Sequence, residues 1–163
     1  MSVAQVESEV ARYDCRHVCV TGGEPLAQRA CLPLLVRLCD LGYAVSLETS
    51  GAVDIAAVDR RVVRIMDIKA PGSGEVDKNR WDNIAALRRD DEIKFVLADE
   101  RDYRWAVACL RERRLDAVCA VLLAPVQGQL APADLAAWIL RDRLPVRFQL
   151  QLHKILWGDA RGR

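Results

Sequence analysis

Short apolar runs of strand length alternate with longer segments of helical period along the whole chain, and this alternation constrains the fold more than any other feature. Residues 2–14 read as an amphipathic helix with Val3, Val6, Val10 and Tyr13 on one face. The strand Val18-Cys19-Val20 follows and stops at Gly22-Gly23. Leu26 to Leu41 reads as a helix closed by Gly42, with strands expected at Ala44–Leu47 and Val62–Ile68. In the second half a helix is expected at Asp77–Arg88, a strand at Ile93–Leu97, and a helix at Asp99–Arg114 with Tyr103, Val107 and Leu110 at helical spacing. The strand Val118–Leu123, the helix Pro132–Leu140 and a last strand, Val146–Leu152, complete the series. Strands that are apolar throughout and separated by helices imply a parallel sheet covered on its faces, an α/β fold. Six strands suit an open doubly wound sheet or a partial barrel, and periodicity alone does not choose between them.

In both architectures ligands collect at the carboxyl ends of the parallel strands. Those ends are Thr21 to Pro25, Glu48 to Gly51, Asp67 to Lys69, Leu97 to Asp99, Ala124 to Gln127, and His153-Lys154. Polar residues concentrate there beyond what a buried sheet requires. Composition narrows the chemistry. A length of 163 residues, 52% hydrophobic and 29% charged, fits one globular domain over 1–163. With 24 basic against 23 acidic residues there is no basic excess of the kind that binds nucleic acid. The longest apolar run, Ala117 to Val126, is far short of the roughly 20 residues a membrane-spanning helix needs. Residues 1–14 lack the basic and apolar regions of a signal peptide, so the cytoplasm is expected. Six cysteines without other signs of secretion are expected to stay unpaired.

The sharpest motif is Val20-Thr21-Gly22-Gly23-Glu24-Pro25. Two glycines after a buried strand let the backbone turn with positive φ and approach a ligand closely. The exposed N–H and C=O groups can bond a zwitterion such as an amino-acid ammonium and carboxylate. Glu24 adds an acceptor suited to an ammonium, and Pro25 stiffens the exit. A bare Gly-Gly pair would mark only a tight turn; Thr before it and Glu-Pro after it shift the reading toward a site.

The Gly-Gly-Glu-Pro string resembles the S-adenosylmethionine (SAM)-binding motif of the radical SAM superfamily. Leu47-Glu48-Thr49-Ser50-Gly51, Asp67-Ile68-Lys69-Ala70-Pro71 and Glu92-Ile93-Lys94-Phe95 agree in order and spacing, and Leu152-His153-Lys154-Ile155-Leu156-Trp157-Gly158 resembles the closing segment of 7-carboxy-7-deazaguanine synthases. The resemblance covers almost the whole chain. It implies a partial (β/α) barrel of the radical SAM type. It also implies a lyase of queuosine biosynthesis that uses SAM, a [4Fe-4S] cluster and Mg2+. In that reaction a 5′-deoxyadenosyl radical starts the conversion of 6-carboxy-5,6,7,8-tetrahydropterin to 7-carboxy-7-deazaguanine with loss of ammonia. The family tends to form homodimers.

Carried over residue by residue, Gly23 matches a SAM-contacting position, with Gly22, Glu24 and Ser50 beside it, and Thr21 matches a pterin-binding threonine. Lys69 stands where the family has Ser-Pro-Lys; the first two positions here are Asp67 and Ile68, so only the lysine transfers. Pro125 stands where relatives often show Gln-Pro, with Ala124 in place of the glutamine, so any contact from position 124 falls to the backbone. No catalytic residue is assigned. Other roles stay open: Lys69 as a solvated lysine, Glu48 as a turn cap through Thr49 and Ser50, His153 as a hydrogen-bonded structural residue, and Lys94 pointing out or pairing with an acid. The four tryptophans read as packing residues.

A radical SAM cluster takes three thiolates from one short loop, which in this family precedes Gly-Gly-Glu-Pro by a few dozen residues. Only 21 residues precede Gly22. Cys15-x3-Cys19 imitates the first spacing, but positions four apart on a strand lie about 13 Å apart and no third cysteine follows at three residues. Cys31 and Cys39 lie about 12 Å apart along a helix, and small buried apolar packing explains all six cysteines, Cys109 and Cys119 included. The expectation is therefore that the first strand and cluster loop are missing, through an internal start or a truncated gene, and that the chain as given holds no cluster and does not turn over. Two other functions remain in play: a glycyl-radical activase of the same superfamily, and a non-catalytic SAM- or nucleotide-binding remnant or partner subunit.

Overall fold

A computed structural model describes residues 1–158 and 160, apart from the side chain of His153. Six strands form one sheet in the order in which they occur: β1 (His17–Val20), β2 (Ala44–Thr49), β3 (Val63–Asp67), β4 (Glu92–Leu97), β5 (Ala120–Pro125) and β6 (Arg147–Phe148). Every pair of neighbours is parallel. Each crossover thus steps to the next position without reversing direction. A doubly wound sheet needs such a reversal, so the choice that periodicity left open falls to the partial barrel. With crossovers of one hand, the helices cover a single face.

Burial alternates accordingly. Val45, Leu47 and Thr49 of β2, Arg64 and Met66 of β3, and Ile93, Phe95 and Leu97 of β4 are buried. Their alternate neighbours, including Glu48, Asp67 and Lys94, are only half-buried. The expectation that the strands are apolar and covered on both faces holds for β5, whereas β2, β3 and β4 have one packed face and one half-buried inner face that carries polar residues. The packed face receives α2 (Cys31–Asp40) through Leu35 and Leu38, α3 (Glu100–Arg113) through Tyr103, Val107 and Leu110, and α5 (Pro132–Asp142) through Leu135. Asp99 caps α3 by accepting from the Asp102 amide at 2.9 Å.

Elsewhere tertiary bonds displace the helices that periodicity suggests. The expected helix Leu26–Leu41 begins as a single 3-10 turn, Pro25–Ala27, and the chain is extended at Gln28 before α2 starts at Cys31. The expected helix Asp77–Arg88 is two 3-10 turns, Val76–Lys78 and Trp81–Ala86, with Asn79 extended between them. Asn79 is held out of a helix because its amide group pairs with the backbone of Lys69, 2.8 Å in each direction. Val118 belongs to a short helix, α4 (Leu115–Val118), and β5 starts at Ala120. The last strand has two residues rather than seven, and Leu152 opens α6 (Leu152–Trp157). The first helix, α1, spans Val3–Ala11, which leaves Tyr13 beyond it and 79% exposed. Trp81, Trp105 and Trp138 pack against other rings, whereas Trp157 is exposed.

Candidate active site at the carboxyl ends of the strands

The Gly-Gly-Glu-Pro turn leaves β1 toward the carboxyl end of the sheet. Gly22 and Gly23 have φ of 100° and 57°, in the left-handed region that side chains resist. A Cβ added to either would meet nothing within 4 Å, so packing does not require these glycines. Backbone conformation does, and the open space beside them leaves their peptide groups accessible. Thr21, directly before them, is exposed, and its hydroxyl has no protein partner among the described residues.

Glu24 does something sequence reasoning did not assign to it. Its carboxylate accepts from the Leu26 amide (3.1 Å), the Thr49 hydroxyl (3.0 Å to each oxygen), the Ser50 amide (2.8 Å) and the Ser50 hydroxyl (2.5 Å). These bonds tie the turn after β1 to the end of β2. The side chain thus fixes the geometry of the turn, and both of its oxygens are already engaged by protein donors. Thr49 is buried, and its hydroxyl also accepts from the Gly51 amide at 3.2 Å. Thr49 and Ser50 are therefore clamped by Glu24, and the turn cap expected of Glu48 is supplied by Glu24 instead. Asn83, which sequence reasoning missed, fixes the chain beyond them by donating to the carbonyls of Gly51 (2.9 Å) and Val53 (2.8 Å).

Glu48 lies on the inner face and accepts from Lys94 Nζ at 3.0 Å, so Lys94 pairs with an acid. Lys69 donates through Nζ to Asp67 Oδ2 at 2.8 Å, which neutralises the one residue retained from the Ser-Pro-Lys pattern. Lys69 lines a cavity of about 330 Å3 at the ends of β3, β4 and β5 with Asp67, Ser73, Val96, Gln129 and Gln151. That volume lies at the lower end of the range for small-molecule sites. Asp102 shapes one wall, accepting from the amides of Gly72 (2.8 Å) and Ala98 (3.1 Å). Pro125 ends β5 and lines a second, more apolar cavity of about 190 Å3 that shares Gln151 with the first. The structure thus gathers Gly22, Gly23, Glu24 and Ser50 in one clamped turn, and places Lys69 and Pro125 in two adjoining cavities. Asn79, Asn83, Asp102, Gln129 and Gln151 carried no sequence signal beyond being polar residues near strand ends.

The residues present fit SAM better than they fit a metal. Accessible glycine backbone suits the ammonium and carboxylate of a zwitterion, and the cavity at the ends of β3, β4 and β5 suits a small molecule. All six cysteines are free and dispersed: Cys15 and Cys19 are exposed, Cys39 is half-buried, and Cys31, Cys109 and Cys119 are buried. Packing therefore does not explain Cys15 and Cys19. Burial pushes the Cys31, Cys109 and Cys119 thiols up, Cys119 to about 11, which disfavours the thiolate a metal requires. Among the described residues no group of three or more His, Cys, Asp or Glu side chains could hold a metal ion. They do not fit a [4Fe-4S] cluster or a carboxylate-bound Mg2+. No helix among them is long and apolar enough to cross a membrane.

Comparison with solved structures places this arrangement in a class. QueE from Escherichia coli matches with a TM-score of 0.72 at 22% identity, over 93% of this chain and 64% of that one. Streptococcus suis SuiB bound to S-adenosylmethionine matches with a TM-score of 0.56 at 12% identity, over 90% of this chain and 40% of that one. The fold is a partial (β/α) barrel of the radical SAM type.

Sequence comparison carries the assignment from class to family. The 7-carboxy-7-deazaguanine synthase of Chlorobaculum tepidum is 46% identical over 99% of this chain and 76% of its own length. That of Koribacter versatilis is 42% identical over 85% of this chain and 67% of its own length. No family model matches. The chain belongs to the 7-carboxy-7-deazaguanine synthase family, a family of radical SAM lyases.

Proposed function

We propose that the protein acts in the conversion of 6-carboxy-5,6,7,8-tetrahydropterin to 7-carboxy-7-deazaguanine and ammonia, with SAM as the radical source, and that these 163 residues provide the platform for SAM and pterin. The observation that carries this reading is the Glu24 clamp, which holds an accessible Gly22-Gly23 turn against the end of β2 in a chain of this family. SAM, when bound, supplies the carbon radical that takes hydrogen from the substrate; the chain's own residues bind and orient. Backbone groups of Gly22 and Gly23 bond the methionine ammonium and carboxylate. Ser50 stays fixed by Glu24, Lys69 and the 330 Å3 cavity take the nucleoside side, and Pro125 borders it. Thr21, whose hydroxyl beside the turn has no partner among the described residues, faces the pterin edge. Iron and Mg2+ of the family reaction would need ligands other than the described side-chain groups.

A net charge of +1 supports a small-molecule substrate over a nucleic acid, and a cytoplasmic location is part of the same proposal. The exposed Leu152, Ile155 and Leu156 of α6 offer an apolar surface for a homodimer. Titration calorimetry with SAM tests the platform. One-to-one binding that is weakened by Gly23→Val is expected; absence of heat with a folded protein would remove the proposal. Anaerobic reconstitution with iron and sulfide, followed by an iron assay, is expected to leave far less than a full cluster per chain.

A further inference from the structure

The inner face of the sheet carries a lysine with one acceptor and, on the adjacent strand, a carboxylate oxygen with no donor. Lys94 is only 12% exposed through its side chain, and among the described residues its ammonium donates to Glu48 Oε2 alone, at 3.0 Å, leaving two of its three N–H donors unused by them. Lys94 and Asp67 are register partners in the β3–β4 pair, so both side chains project from the inner face. Asp67 Oδ2 is taken by Lys69, while Oδ1 is buried and accepts no hydrogen bond from the described residues. A buried, unpaired charge is costly, so a lysine that loses its only acid must find another or leave the sheet.

We infer that Lys94 is a positioning residue with two stations. In the ligand-free chain it sits on Glu48. When an amino or ring N–H donor of a ligand takes the half-exposed Glu48, Lys94 moves to Asp67 Oδ1, so Glu48 is released without leaving a bare ammonium in the sheet. Asp67 holds Lys69 through one oxygen and keeps the other for Lys94. The inference does not depend on the reaction proposed above, only on the inner face.

The test is a mutant cycle in the full chain, read by urea unfolding. Glu48→Met and Asp67→Leu each remove one station, and residues 48 and 67 do not bond each other. With Lys94 present, the unfolding constant of the double variant should exceed the product of the two single effects by about tenfold or more, because only then is the ammonium stranded. A double variant that fails to fold while both singles fold counts as the same excess. In a Lys94→Met background the effects should multiply within about threefold. Simple multiplication with Lys94 present would overturn the inference. A crystal structure of Glu48→Met decides it directly: Lys94 Nζ within about 3 Å of Asp67 Oδ1 is expected, and Nζ turned to solvent would refute it.

Discussion

The two ends of the sheet both carry charge, and they handle it in opposite ways. At the amino-terminal end, Asp91 is completely enclosed. Arg64 donates to it from the backbone amide (2.8 Å), Nε (3.1 Å) and Nη2 (2.5 Å), and Arg88 from its amide (2.7 Å) and Nη2 (3.3 Å). Other guanidinium protons go to backbone carbonyls: those of Ala86 (2.7 Å) and Ile55 (3.5 Å) from Arg64, and those of Val62 (2.7 Å) and Arg60 from Arg88. At the carboxyl-terminal end, Glu48–Lys94 and Asp67–Lys69 are partly exposed pairs, and one Asp67 oxygen has no hydrogen-bond partner among the described residues. A finished network contributes to holding the sheet; the other end leaves polar groups and glycine backbone open. This division of stability below and chemistry above is the one barrel architecture favours.

The sharpest way to break the comparison is to break the finished end. Asp91→Ala leaves the buried Arg64 guanidinium uncompensated and should destabilise the fold by about 3–5 kcal/mol in chemical denaturation. If the loss is under about 1 kcal/mol, the network is no more than surface decoration. Acid should act in the same direction. Burial pushes the Asp91 carboxyl up, but the hydrogen bonds from Arg64 and Arg88 outweigh it and hold it below the ordinary carboxylate value. Its folded-state value is therefore below its unfolded one. The stabilisation is complete above the unfolded value near pH 4 and disappears as pH falls through the folded value. Between pH 6 and pH 3 wild type should lose stability while Asp91→Asn, already weakened, should lose less.

At the other end the corresponding cut is Glu24→Ala, which removes the acceptor of four donor groups, three of which link the turn to Thr49 and Ser50. Hydrogen bonds to a charged group contribute about 1.5–3 kcal/mol, so a stability loss of about 2 kcal/mol is expected, less than at Asp91 because this carboxylate is less enclosed. SAM affinity should fall as well, whereas Asp91→Asn, if still folded, should bind SAM as wild type does. Equal effects of the two variants on SAM affinity would erase the distinction between the ends.

Much of this was legible in the chain. The order of strands and helices followed from periodicity, and so did the strand ends at which apolar runs give way to Gly22-Gly23, Ser50 and Lys69. The networks were not legible, because they join residues distant in sequence: Glu24 to Ser50, Arg64 to Asp91, and Lys69 to Asn79. Asn79 shows the physical reason most clearly, since its two bonds to Lys69 cancel a helical pattern that local spacing supports. The alternation over Val146–Leu152 was legible and misleading: Arg147 and Phe148 alone pair with β5, and the chain turns into α6.

The smallest effect tests whether the open end is shaped for a ligand or merely for a turn. Gly23 has φ 57°, a conformation that alanine adopts at a cost of about 1–2 kcal/mol. No atom lies within 4 Å of the added Cβ, so nothing beyond that conformational term opposes Gly23→Ala in the free protein. Its thermal stability should fall by no more than that amount. SAM affinity should fall further than stability does, because the methyl group occupies the space through which the backbone is approached. If calorimetry shows SAM bound equally well by Gly23→Ala, the glycine serves the turn and the ligand must approach the clamp from elsewhere. If affinity falls while the urea midpoint scarcely moves, the open space beside Gly23 belongs to the ligand, and the contrast with the filled surroundings of Asp91 extends from charge to packing.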